Sequence, residues 1–104
     1  MADHLRITFA ASAVGDLEAA REWYAQQQAD AVGERLVREV IEQVETLAAF
    51  PDSGRIVPEF DVVRLRELIH PPFRIVYRRE DDQIRVVRVW RSERLMPTPP
   101  SERE

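Results

Sequence analysis

Three short runs in the second half of the chain alternate arginine with apolar residues: Val62-Val63-Arg64-Leu65-Arg66, Phe73-Arg74-Ile75-Val76-Tyr77-Arg78 and Ile84-Arg85-Val86-Val87-Arg88-Val89-Trp90-Arg91. Alternation sends neighbouring side chains to opposite faces of a sheet, so such runs can bury one face and array guanidinium groups on the other. The chemistry available to that array is electrostatic. Arginine stays protonated at ordinary pH and its planar fork suits carboxylate and phosphate, so it clamps anions but is a poor proton-transfer group. The 15 basic residues are all arginines, a usage that the base composition of a GC-rich genome would also produce. Cysteine is absent and the histidines are only His4 and His70, which argues against thiolate or histidine-rich metal sites and predicts no cofactor.

Charge is segregated along the chain. Residues 62 to 94 carry nine arginines against five acids, whereas residues 1 to 50 carry four arginines against nine acids. The formal net charge of -4 conceals this contrast. Because screening limits a charge's reach to roughly 8 Å at physiological salt, an acidic protein can still offer a basic face to an anion.

The elements that must position these arginines are legible in the periodicity. Leu5 to Phe9 alternates as a short strand, and from Ala13 to about Gln28 the residues Leu17, Ala20, Trp23 and Tyr24 recur at helical spacing behind Ser12 as N-cap. Leu36, Val37, Val40, Ile41, Val44, Leu47 and Ala48 trace an apolar stripe over a second helix, Ala31 to Ala49. A short polar connection between the two predicts an antiparallel hairpin. Pro51 ends the second helix and Pro51-Asp52-Ser53-Gly54 forms a turn. Strands are then predicted near Val62 to Leu68, at Phe73 to Arg79 and at Ile84 to Arg91, with breaks at Pro71-Pro72 and Glu80-Asp81-Asp82-Gln83.

The order is β-α-α-β-β-β, an α+β fold with a helical hairpin packed on a small antiparallel sheet. Residues 1–94 are expected to form one domain, and the proline-rich segment 95–104 a flexible tail. Val63, Leu65, Phe73, Ile75, Tyr77, Val87 and Val89 are placed toward the helices. Arg64, Arg66, Arg74, Arg78, Arg88 and Trp90 then share the other face with Val76 and Val86, as a surface for a target or a protein partner. The competing reading is a solvated face whose arginines pair with Glu67, Asp81 and Asp82. Trp90 is either a cover for the sheet or an exposed anchor, Tyr77 belongs to the core, His70 to a loop, and the adjacent Trp23 and Tyr24 cannot both point inward. No apolar run approaches the ~20 residues of a membrane span. The N-terminus lacks a signal-peptide pattern, and a cytoplasmic location is expected.

Taken together, the helix pair with Asp16-Leu17 and Trp23-Tyr24, the segment Phe50-Pro51-Asp52-Ser53-Gly54-Arg55, Val63 to Glu67, and the strands Phe73 to Arg78 and Val87 to Arg91 resemble toxins of the RelE/ParE superfamily, from bacterial type II toxin-antitoxin pairs. The resemblance implies an antitoxin as partner and one of two activities. RelE-like toxins cut messenger RNA on the ribosome, with cations at positions matching Arg64, Arg66, Arg74 and Arg91 or Arg94. ParE-like toxins bind and poison DNA gyrase. RNA-cleaving members usually carry a C-terminal tyrosine or histidine beside the cations, whereas here Leu95-Met96-Pro97 follows and the last tyrosine and histidine are Tyr77 and His70. The ParE-like activity is therefore favoured. Ribosome-dependent cleavage and a non-toxic binding module on the same scaffold stand as alternatives.

Overall fold

The apolar repeat of the second helix organises the molecule. In the computed structural model, which describes residues 4–91, Leu36, Val40 and Val44 lie buried along one side of a helix, with Leu47 continuing the line. The elements in chain order are β1 (Arg6–Phe9), α1 (Ala11–Gln26), α2 (Asp30–Glu45) with a 3-10 turn at Thr46–Ala48, β2 (Arg55–Ile56), β3 (Leu65–His70), β4 (Phe73–Arg79) and β5 (Gln83–Arg91). The expected tail, its boundary at residue 94 and Arg94 itself lie outside the described residues.

The hairpin of α1 and α2 packs on a five-stranded sheet of order β1-β5-β4-β3-β2. The α+β class and the antiparallel β3-β4-β5 meander are as expected. The sheet is mixed rather than wholly antiparallel, because β1 pairs parallel with β5, and the two-residue β2 is an additional edge strand. Ser12 does not cap α1. Ala10 holds the N-cap position, and the Ser12 hydroxyl donates to the Val87 carbonyl at 2.8 Å.

Both faces of the sheet are apolar. Toward the helices, Phe73, Ile75, Tyr77, Ile84, Val86 and Val89 pack with Ala13, Leu17, Leu36, Val40, Val44 and Leu47. On the far face Leu65, Val76, Val87 and Trp90 form a second cluster with Ala10 and Val57, against which Phe60 packs. Four placements are corrected. Leu65 and Val87 face away from the helices, Val86 faces toward them, and Val63 is exposed in the segment before β3. The cause in β5 is a bulge: Tyr77 pairs with Val86 and Val76 with Arg88, so Val87 is an extra residue that reverses the alternation. The cause in β3 is phase, because Leu65 is drawn to the far-face cluster and Leu68 to the helices.

Candidate functional site

Partners in a ladder share a face, so the registers locate each arginine. Arg74 and Arg78 alternate with Val76 on the far face, where Arg88 and Trp90 join them through pairing with Val76 and Arg74. Arg66 pairs with Tyr77 and therefore lies on the helix side of the sheet, not with Arg74 as expected. Arg64 precedes β3 at the hairpin end, where its carbonyl accepts the Arg79 N–H at 2.7 Å. Arg91, paired with Phe73, lays its guanidinium 4.9 Å over the ring of the half-exposed Trp23. The six residues predicted to share one face are thus divided between a buried far-face network and a rim.

The far-face network is built around two buried charges. Glu67 is 1% exposed and Arg74 5%. Arg74 donates from Nε to Glu67 Oε1 at 2.8 Å, and from Nη1 and Nη2 to both oxygens of Glu59 at 2.6 and 2.8 Å. The second Glu67 oxygen accepts from Arg55 Nε at 2.7 Å. Glu59 is carried by the segment 57–64, which lies over the far face through Val57 and Phe60. The bidentate hydrogen bonds from Arg74 lower the Glu59 pKa to about 2, and the same bonds raise that of Arg74. This geometry overturns the view of Arg74 as an accessible cation. Its replacement by alanine leaves a buried carboxylate short of its main partner, a loss of about 3–5 kcal/mol by comparison with other broken buried pairs.

The neighbouring cations are also engaged. Arg78 is buried, with Nη1 3.5 Å from Glu80. Arg88 makes a two-bond fork to Asp16 of α1, 2.8 Å each, and stacks 4.4 Å from the Trp90 ring centre. Trp90 itself is buried, which decides for the sheet cover over the exposed anchor.

At the rim, Arg64 lies 3.3 Å from Asp81 with both side chains exposed. Arg66 donates to the Gly54 carbonyl at 3.0 Å and faces Asp52 at 3.8 Å, and Arg79 donates to the same Asp52 oxygen at 3.2 Å. The Pro51–Gly54 turn that bears Asp52 is fixed by Tyr77, whose hydroxyl accepts the Gly54 N–H at 3.0 Å and donates to the Pro51 carbonyl at 2.8 Å. Burial pushes the Tyr77 pKa up. His70 ends β3 rather than lying in a loop, and its Nε2 meets Glu39 of α2 at 2.9 Å, a bond that lowers the Glu39 pKa.

The pairing of arginines with Glu67 and Asp81 matches the competing solvated-face reading in its partners, though Glu67 is buried rather than solvated. Arg55, Glu59, Asp16, Asp52 and Arg79 were not singled out as site residues. The signal for Glu67 was present: a carboxylate in phase with Leu65 on a strand must be buried beside a cation. For Glu59 and Asp52, which lie in irregular segments, periodicity carries no signal.

These elements make an α+β scaffold, a helical hairpin on a five-stranded mixed sheet whose β3-β4-β5 meander is rich in arginine. The chain belongs to the family described as ParE toxin of type II toxin-antitoxin system, parDE, whose sequence profile matches residues 7–96. Among solved structures, a chain of the chromosomal ParDE TA system from P. aeruginosa is similar in fold, with a TM-score of 0.72 and 23% identity, covering 85% of this chain and 96% of that one. No curated protein matches the sequence.

Proposed function

We propose that the chain arrests growth by binding DNA gyrase and is held silent by an antitoxin whose acidic segment engages the arginine-bearing surface. Membership of the ParE family supports the toxin and its partner. The observation that favours binding over RNA cleavage is the placement of Tyr77 and His70. Cutting RNA from its own 2′-hydroxyl needs a group that accepts a proton, and Tyr77 is buried in two hydrogen bonds while His70 ends β3, four residues and so about 13 Å along the strand from Arg66. Within the predicted set, Arg64 and Arg66 are the residues we assign to the partner surface, and Arg74 is assigned to holding the fold.

The test is expression of the chain alone in a bacterial host, with purified protein added to gyrase supercoiling and ribosome-bound message assays. Growth arrest with inhibited supercoiling and intact message is expected. Cleaved message with normal supercoiling would establish the RelE-like activity instead, and unaffected growth the non-toxic module. Replacing Arg64 and Arg66 together by alanine should relieve the arrest while the protein stays folded.

A further inference from the structure

Two guanidinium groups at the rim converge on a single exposed carboxylate of the chain's own. Arg79 Nε donates to Asp52 Oδ1 at 3.2 Å, and Arg66 Nε faces the same oxygen at 3.8 Å. The Arg66 Nε is buried and has no hydrogen-bond partner, so Asp52 completes the bond to Arg79 and leaves the one to Arg66 unmade. Asp52 itself is a surface residue, its side chain 63% exposed, while those of Arg66 and Arg79 are 19% and 28% exposed. The cations are thus the fixed part and the carboxylate the movable one.

The fixed part is held from three directions. Arg66 Nη1 is anchored on the Gly54 carbonyl, and Arg79 donates from Nη1 to the Glu80 carbonyl. Tyr77 pins the turn from below through Gly54 and Pro51. A side chain at Gly54 would meet the Glu67 carbonyl and the Tyr77 hydroxyl at 2.7 Å, so backbone and clamp are packed too closely for the turn to drift. Cations held in this way lose little freedom when they take a new anion, and charge-assisted bonds from arginine to carboxylate are the stronger kind. Next to the clamp in sequence, Phe50 is exposed and offers apolar surface.

We propose that Arg66 and Arg79 form a carboxylate-binding clamp which Asp52 occupies in the free protein, and that an acidic side chain of a protein partner displaces Asp52 to complete the bond at Arg66 Nε. Asp52 is then an internal competitor that weakens the partner's hold by the fraction of time it occupies the clamp. A carboxylate rather than a phosphate is assigned because the present occupant is a carboxylate, met end-on by two Nε atoms. The inference rests on the reading that the partner is acidic, but its test needs neither toxicity nor gyrase.

A labelled hexaglutamate peptide is titrated at low salt against the wild type, Asp52→Ala and Asp81→Ala. Asp81 is an exposed acid paired with Arg64, so its removal changes net charge equally without touching the clamp. Asp52→Ala should bind about tenfold more tightly than the other two, the gain expected if Asp52 fills the clamp about nine-tenths of the time. Adding Arg66→Gln or Arg79→Gln to Asp52→Ala should remove that gain. Asp52→Asn, which keeps the turn, should move affinity in the same direction should the alanine variant fold poorly. Equal affinities for Asp52→Ala and wild type, an equal gain in Asp81→Ala, or a gain that survives both glutamine replacements would overturn the proposal. So would a gain seen with a hexathymidine oligonucleotide and not with the peptide, which would make the clamp a phosphate site.

Discussion

Arg74, Arg78 and Arg88 read in the sequence as surface cations and are found in the structure beside acids. The difference is physical: alternation fixes which face a residue takes, but nothing in a strand pattern says whether that face is wet. Arg74 was legible as a far-face residue and illegible as a buried one, because its partner Glu59 is supplied by an irregular segment 15 residues away. The Glu59 pKa, about 2 against an ordinary 4.5, makes this contact dependent on pH. A carboxylate with a depressed folded-state pKa stabilises the fold fully above its unfolded value and loses that contribution as pH falls through the folded one. Unfolding by urea should therefore become easier between pH 4.5 and about 2, and Glu59→Gln should flatten that part of the profile. An unchanged profile in the glutamine variant would remove Glu59 from the account.

Among the elements, α2 and β4 were read most closely, since a long stripe of Leu36, Val40 and Val44 and a flanked run of Phe73, Ile75 and Tyr77 each admit one period. β5 was located but its phase reversed at Val87, because Val86 and Val87 are interchangeable in pattern and only the pairing with β4 decides which is the bulge. β2 was missed, being two residues long beside a turn. That turn, Pro51 to Gly54, is tied to the sheet by the Tyr77 hydroxyl as well as by Arg66. Tyr77→Phe leaves the buried Gly54 N–H unsatisfied and should cost about 1–3 kcal/mol by urea unfolding. With the turn loosened, protease cleavage near Asp52 should rise ahead of global unfolding, and equal rates in both proteins would count against the role given to the Tyr77 hydroxyl.

For the whole molecule, the sheet is the shared wall of two apolar clusters, one under the helices and one under the segment 57–64. Leu47→Ala on the first side and Leu65→Ala on the second should each cost about 2–5 kcal/mol, as buried leucine truncations do. Both should shift one common thermal transition, whereas two separate transitions would mean that the layers melt independently. The contrast between acidic helices and basic strands that the sequence displays is partly consumed inside the fold, as Asp16 of α1 meets Arg88 of β5. Contacts from α1 also finish the sheet. β1 pairs with β5 as far as Val86, and beyond it the Ser12 hydroxyl binds the Val87 carbonyl and Asp16 accepts the Val89 N–H at 2.8 Å. Two side chains of a helix thus substitute for the backbone of a missing strand, so that stretch of β5 is sealed against association with another chain only while the first helix stays seated. The Val89 amide proton becomes a built-in gauge of that seating, exchanging with solvent in proportion to the time the helix spends lifted off.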